Sequence, residues 1–202
     1  RRGKPHRDMR YGAAARPIRG ESVSGDAWRI AFDGADTQVL LIDGLGHGAS
    51  AHAAAQRGVD GFDSDPLGEP DALMGALHVV MGGTRGGAVA LARFDGALGA
   101  LRFAGIGNLS AALHTLEGSR GLASHPGIVG TQFRRAQASD FPDAGGKLLL
   151  LHSDGLQTRW SLRDYPGLAG RHPAVIAAVL LRDQERGRDD ATVVALALGD
   201  AR

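Results

Sequence analysis

The sequence predicts an α+β domain in which antiparallel strands form layers and helices fall into two blocks. Three observations carry this. The apolar runs are mostly short, of strand rather than helix length. Several of them are separated by strong turn dipeptides, Asp33-Gly34, Asp95-Gly96 and Gly107-Asn108. Helical composition is confined to residues 50–59 and 71–81 in one block and 172–186 in the other. A doubly wound parallel sheet would instead alternate strand and helix along the whole chain.

The elements follow in order. Residues 1–12 are basic and contain a proline, which reads as an interdomain linker or a frayed terminus. The domain is therefore expected over 13–200, and on the linker reading the chain is a piece of a larger protein fused to a further N-terminal domain. Residues 27–32 and 38–42 are two strands, and the intervening Asp-Gly-Ala-Asp over 33–36 is a hairpin signal. Residues 50–59 are a helix with Ser50 near its start, 63–70 a loop, and 71–81 a second, apolar helix. Residues 87–94, 100–106 and 109–115 are successive strands. The segment 127–133 comes next, followed by an exposed basic and polar stretch with Arg134 and Arg135 in solvent. Residues 147–153 form an apolar strand running into Asp154, and His152 is a packed residue of that strand. A helix over 172–186 and a last strand over 191–198 complete the set. Trp28 and Trp160 belong to the core or its rim.

Composition narrows the function classes. With 43% hydrophobic and 22% charged residues, 202 residues suffice for a buried core. A net charge of +1 gives no argument for a nucleic-acid or membrane partner. No apolar run approaches the roughly 20 residues that span a bilayer. The absence of cysteine excludes disulfides and zinc–thiolate sites and suits a reducing cytoplasm.

The aspartates carry the chemistry. Antiparallel pairing keeps the sum of partner numbers constant, so a hairpin that pairs Asp33 with Asp36 also pairs Asp26 with Asp43. Directly opposite carboxylates repel and invite a cation between them. The second half repeats the arrangement. Asp154 ends an apolar strand, Asp189 and Asp190 precede another, and a helix between the two strands lets them run antiparallel side by side. Four carboxylates at strand ends, without a thiolate, describe a hard-oxygen site for magnesium or manganese. The glycines after Asp43 allow close backbone approach and free a main-chain carbonyl. Ser153 and Thr192 bond backbone or orient carboxylates rather than act as nucleophiles.

The motifs Gly25-Asp26, Asp-Gly-Leu-Gly-His-Gly over 43–48, Ser-Asp-Gly over 153–155 and Arg-Asp-Asp-Ala-Thr over 188–192 stand in an order that resembles the metal-dependent (type 2C, PPM) protein Ser/Thr phosphatases. Residues 20–28, 84–95 and 103–113 are similar to the bacterial SpoIIE/RsbX-like branch, and the resemblance extends roughly from Gly12 to Leu198. It implies a four-layer α-β-β-α sandwich of two antiparallel sheets, with two divalent ions, Mn2+ or Mg2+, at one end. By motif, Asp43 would bridge both ions and Gly44 would offer its carbonyl. Asp26 would hold one ion, Asp154 and Asp189 the other, and Asp190 would stand behind the ligands. The resemblance further implies hydrolysis of phosphoserine or phosphothreonine by a metal-activated hydroxide, on a regulatory protein such as a STAS-type anti-sigma antagonist. Eukaryotic members place a histidine, a candidate general acid, directly after Asp-Gly. Here Leu45 and Gly46 intervene before His47. Those members also hold phosphate with an arginine near the first strand, a region that contains Arg16 and Arg19.

Two other readings compete. The glycine-rich segment also resembles the box of GHKL-type ATP-binding domains, which requires an asparagine-bearing helix upstream where this sequence reads as strand. A phosphatase-like binding module would be marked by a missing ligand aspartate, and none is missing.

Overall fold

The computed structural model describes residues 10–199. Its two sheets are antiparallel throughout. One contains β1 (Arg10–Arg16), β6 (Ser110–His114), β7 (Ser119–Gly121), β9 (Leu148–His152) and β10 (Ala191–Ala197), in the order β1-β10-β9-β6-β7. The other contains β2 (Asp26–Asp33), β3 (Asp36–Gly44), β4 (Gly87–Asp95), β5 (Ala100–Ile106) and β8 (Ser139–Phe141), in the order β2-β3-β4-β5-β8. Helices α1 (Ala49–Ser64) and α2 (Pro70–Val80) cover the second sheet, and α3 (Pro173–Gln184) covers the first. This is the α-β-β-α sandwich.

Three apolar layers hold the sandwich, and the period-2 geometry of strands explains why the central ones read as unbroken apolar runs. In β3, Val39 and Leu41 enter the layer between the sheets together with Phe94, Phe103, Leu151 and Val194. Leu40 and Ile42 point the other way, onto Val59, Phe62, Leu77 and Met81. In β10, Val194 and Leu196 face inward while Val193 and Ala195 lie under Ile176 and Leu180 of α3. A strand covered on both faces has no solvent side to carry polar residues.

Strand β1 has no counterpart in the sequence reading. Arg10–Gly12 were assigned to the linker, yet they pair with β10 from Arg10↔Ala197 onward. Its Ala- and Gly-rich composition lacks the β-branched residues that mark a strand. Gly12 shows what stabilises it instead, since a Cβ there would lie 2.2 Å from the Ala174 Cα of α3. Helix and strand approach closely because Gly12 has no side chain. The remainder of the expected linker, residues 1–9, and the expected domain end at 200 lie outside the described residues. Helix α1 also runs to Ser64, five residues beyond its expected end. Among the described residues, no helix is long and apolar enough to cross a membrane.

Candidate functional site

The acidic motifs converge at one end of the sandwich. The hairpin has the expected register, with Asp33↔Asp36 and, at its open end, Asp26↔Asp43. Strands β9 and β10 pair antiparallel with His152↔Val193, which brings the segments after β9 and before β10 together. Asp43, Asp154 and Asp189 line one cleft of about 110 Å³ with Leu45, Gly46, Asn108 and Ile128. Asp26, 8% exposed, stands opposite Asp43.

A second set of groups fixes the carboxylates. The buried Ser153 hydroxyl donates to Asp26 Oδ2 at 2.6 Å and accepts the Thr192 N–H at 2.9 Å. Asn108 Nδ2 donates to Asp154 Oδ2 at 2.5 Å. Asp190 faces away from the cleft, where Oδ1 accepts the Ile18 N–H at 2.7 Å and Oδ2 the Gly25 N–H at 2.6 Å. It thereby ties the loop before β2 to the start of β10. Ser153 fills the orienting role read from the sequence. Asn108 was legible only as a turn residue, because its role depends on the β5–β6 turn passing beside Asp154.

The electrostatics are those of a site with excess negative charge. Burial pushes the Asp43 carboxyl up to about 8, and Asp26, Asp154, Asp189 and Asp190 push it the same way. Burial likewise raises Asp26 to about 7, opposed by the Ser153 hydrogen bond. Asp154 is raised by burial and by Asp189, while Arg186 lowers it. Among the described residues, no three His, Asp or Glu side chains form a ready-made ligand set. Two oxygens are instead engaged by Ser153 and Asn108. Asp26 Oδ1, however, is buried without a hydrogen-bond partner. A buried acceptor with no donor, facing a second carboxylate, fits a hard cation.

His47 does not belong to this cleft. It is exposed and its Nδ1 lies 2.8 Å from Glu21 Oε1, so the structure does not support the expected proton-donor role. Arg16 is engaged elsewhere as well, with Nη1 2.6 Å from Glu185 Oε2, and Arg19 is exposed. The GHKL reading fails on architecture, because the elements upstream of the glycine-rich turn are strands β2 and β3 rather than a helix.

No protein-family model matches the sequence, and no curated protein is recognisably similar to it. The three-dimensional likenesses are extensive. A protein solved in work on the bacterial stressosome, as a modular system adapted to control secondary messenger signaling, is 25% identical. That match covers 94% of this chain and 99% of the other, at a TM-score of 0.85. RsbX in complex with magnesium is 17% identical over 97% of this chain and 98% of its own, at 0.81. The catalytic domain of the serine/threonine protein phosphatase PstP in complex with two manganese ions is 19% identical over 95% and 99%, at 0.72. The chain has the PPM phosphatase fold.

Proposed function

We propose that the protein is a divalent-metal-dependent phosphatase acting on phosphoserine or phosphothreonine of a regulatory protein. The observation that carries this reading is the convergence of Asp43, Asp154 and Asp189 in one cleft, with Asp26 opposite Asp43, in a fold shared with RsbX and PstP. In this reading Asp26, Asp43 and the Gly44 carbonyl, with Asp154 and Asp189, would hold the ions. When bound, two Mn2+ or Mg2+ ions supply an activated water and offset charge on the phosphoryl oxygens. The chain's own contribution is orientation. Ser153 fixes the Asp26 carboxylate and Asn108 that of Asp154, so that the remaining oxygens face the cleft. Asp190 keeps Gly25, and with it Asp26, in place.

The expected partner is a phosphorylated STAS-type regulator, the expected location the cytoplasm, and the chain is read as fused to a further N-terminal domain. Support for a regulatory setting comes from the stressosome and RsbX likenesses. The test is hydrolysis of phosphoserine and phosphothreonine peptides and of phosphorylated STAS-type proteins, with manganese and with EDTA. Turnover that requires manganese and disappears in Asp154→Asn is the expected result. A wild-type protein that binds manganese but releases no phosphate would leave the binding-module reading in its place.

A further inference from the structure

The cleft that must accept a phosphoryl dianion is lined by carboxylates, and of the cations described so far only Arg186, beside Asp154, counters that charge. Arg85 is placed to do so. It precedes Gly86 and Gly87, where β4 begins beside the end of β3, with Gly44↔Gly87 in register. Leu45 N–H donates to the Gly86 carbonyl at 2.9 Å, and so carries the pairing into the glycine-rich turn. Gly46 of that turn lines the cleft with a φ of 82°, and a Cβ there would lie 3.2 Å from Arg85 Nη1. The guanidinium therefore lies beside Gly46, one of the glycines of the cleft wall.

The segment carrying Arg85 is held from both sides. Thr84 Oγ1 donates to the Met81 carbonyl at 2.6 Å and accepts the Gly86 N–H at 3.0 Å. Gly87 N–H donates to the Val129 carbonyl at 3.0 Å. Arg16 is paired with Glu185, and Arg186 Nη1 donates to the Asp154 carbonyl at 3.2 Å. Among the described residues Arg85 is exposed and makes no hydrogen bond or ion pair. A planar, permanently charged fork with free donors, on a fixed turn at the mouth of an acidic cleft, matches the oxygens of a phosphate monoester.

We propose that Arg85 binds the substrate's phosphoryl group, donating from its guanidinium to the non-bridging oxygens. This rests on the phosphatase reading and adds to it a binding residue beside the glycine-rich turn. The test compares wild type, Arg85→Ala and Arg85→Lys in the manganese-loaded chain. It reads inorganic phosphate affinity by calorimetry and by competitive inhibition, KM and kcat for a phosphopeptide, manganese affinity and melting temperature. Loss of a charge-assisted contact predicts phosphate binding weakened by about 10- to 100-fold in Arg85→Ala. KM should rise with it, Arg85→Lys should recover part of the loss, and manganese affinity and melting temperature should stay at wild-type values. If the wild type hydrolyses the phosphopeptide and Arg85→Ala binds phosphate indistinguishably from it, the role of Arg85 is overturned and the phosphatase reading stands. If the wild type neither hydrolyses phosphopeptides nor binds phosphate, both fall together.

Discussion

Replacing Asp43 by asparagine should stabilise the metal-free protein while removing its response to metal. Asp26 and Asp43 are directly opposite on paired strands, which sets their Cβ atoms about 5 Å apart. Two unit charges at that distance, at an effective permittivity of about 20, repel by about 3 kcal/mol. Asparagine removes the repulsion and offers an N–H to Asp26 Oδ1, which has no partner. For a domain of this size the gain corresponds to roughly 6–12 °C in Tm. The pH profile identifies the cause. The Asp43 carboxyl is held at about 8 in the folded chain, above the ordinary carboxylate value of 3.8. The folded state therefore binds the extra proton, and wild-type stability falls as pH rises between these values. In EDTA the Tm gap between variant and wild type should be absent near pH 4, widen up to about pH 8, and then level off. Manganese at about 100 times its Kd should add about 2.7 kcal/mol per site to the wild type and little to the variant. Calorimetric melts across pH, with and without manganese, read all of this. A variant that melts at or below the wild type at pH 8 in EDTA, yet gains as much from manganese, would refute the reasoning.

Three further outcomes follow from contacts described above. Ser153→Ala leaves the Thr192 N–H without its acceptor and removes the Ser153 donor to Asp26; chemical denaturation should show a loss of about 1–3 kcal/mol, and manganese affinity should fall about 10- to 100-fold. Asn108→Ala removes the donor to Asp154 at an exposed turn, so metal affinity should weaken while Tm in EDTA stays at its wild-type value. Gly12→Val drives a side chain into Ala174; overpacking of this kind costs about 1–3 kcal/mol or more, measured as a lower Tm with and without metal alike.

How much of this was legible in the sequence depended on how local the determining interactions are. The Asp26↔Asp43 pairing could be read because a tight hairpin fixes its own register. The apolar runs of β3 and β10 were legible as strands, and their burial on both faces comes from the opposite sheet and the helices packed on them. Strand β1 could not be read, because its Ala- and Gly-rich residues become a strand through the closing partner β10 and the close passage of α3 over Gly12. The short β7 and β8 exist only as edge partners of β6 and β5. Asn108 and Arg85 are delivered by turns between elements, so their relation to the aspartates has no periodicity or spacing to reveal it. His47 stood two residues too far from Asp-Gly, and the turn directs it toward Glu21.

The pairing of β1 with β10, from Arg10↔Ala197 to Arg16↔Ala191, sets the order in which the molecule can assemble. A nascent chain emerging from the ribosome can complete the β2–β3–β4–β5 meander early. The first sheet must wait until the final strand has been synthesised, a non-local closure of the kind that slows folding. Asp190 captures the amides of Ile18 and Gly25 only at that step. Asp26 and Asp43 are opposed as soon as the hairpin forms, whereas the segments carrying Asp154 and Asp189 come together only when β10 pairs with β9, with most of the hydrophobic layers already in place.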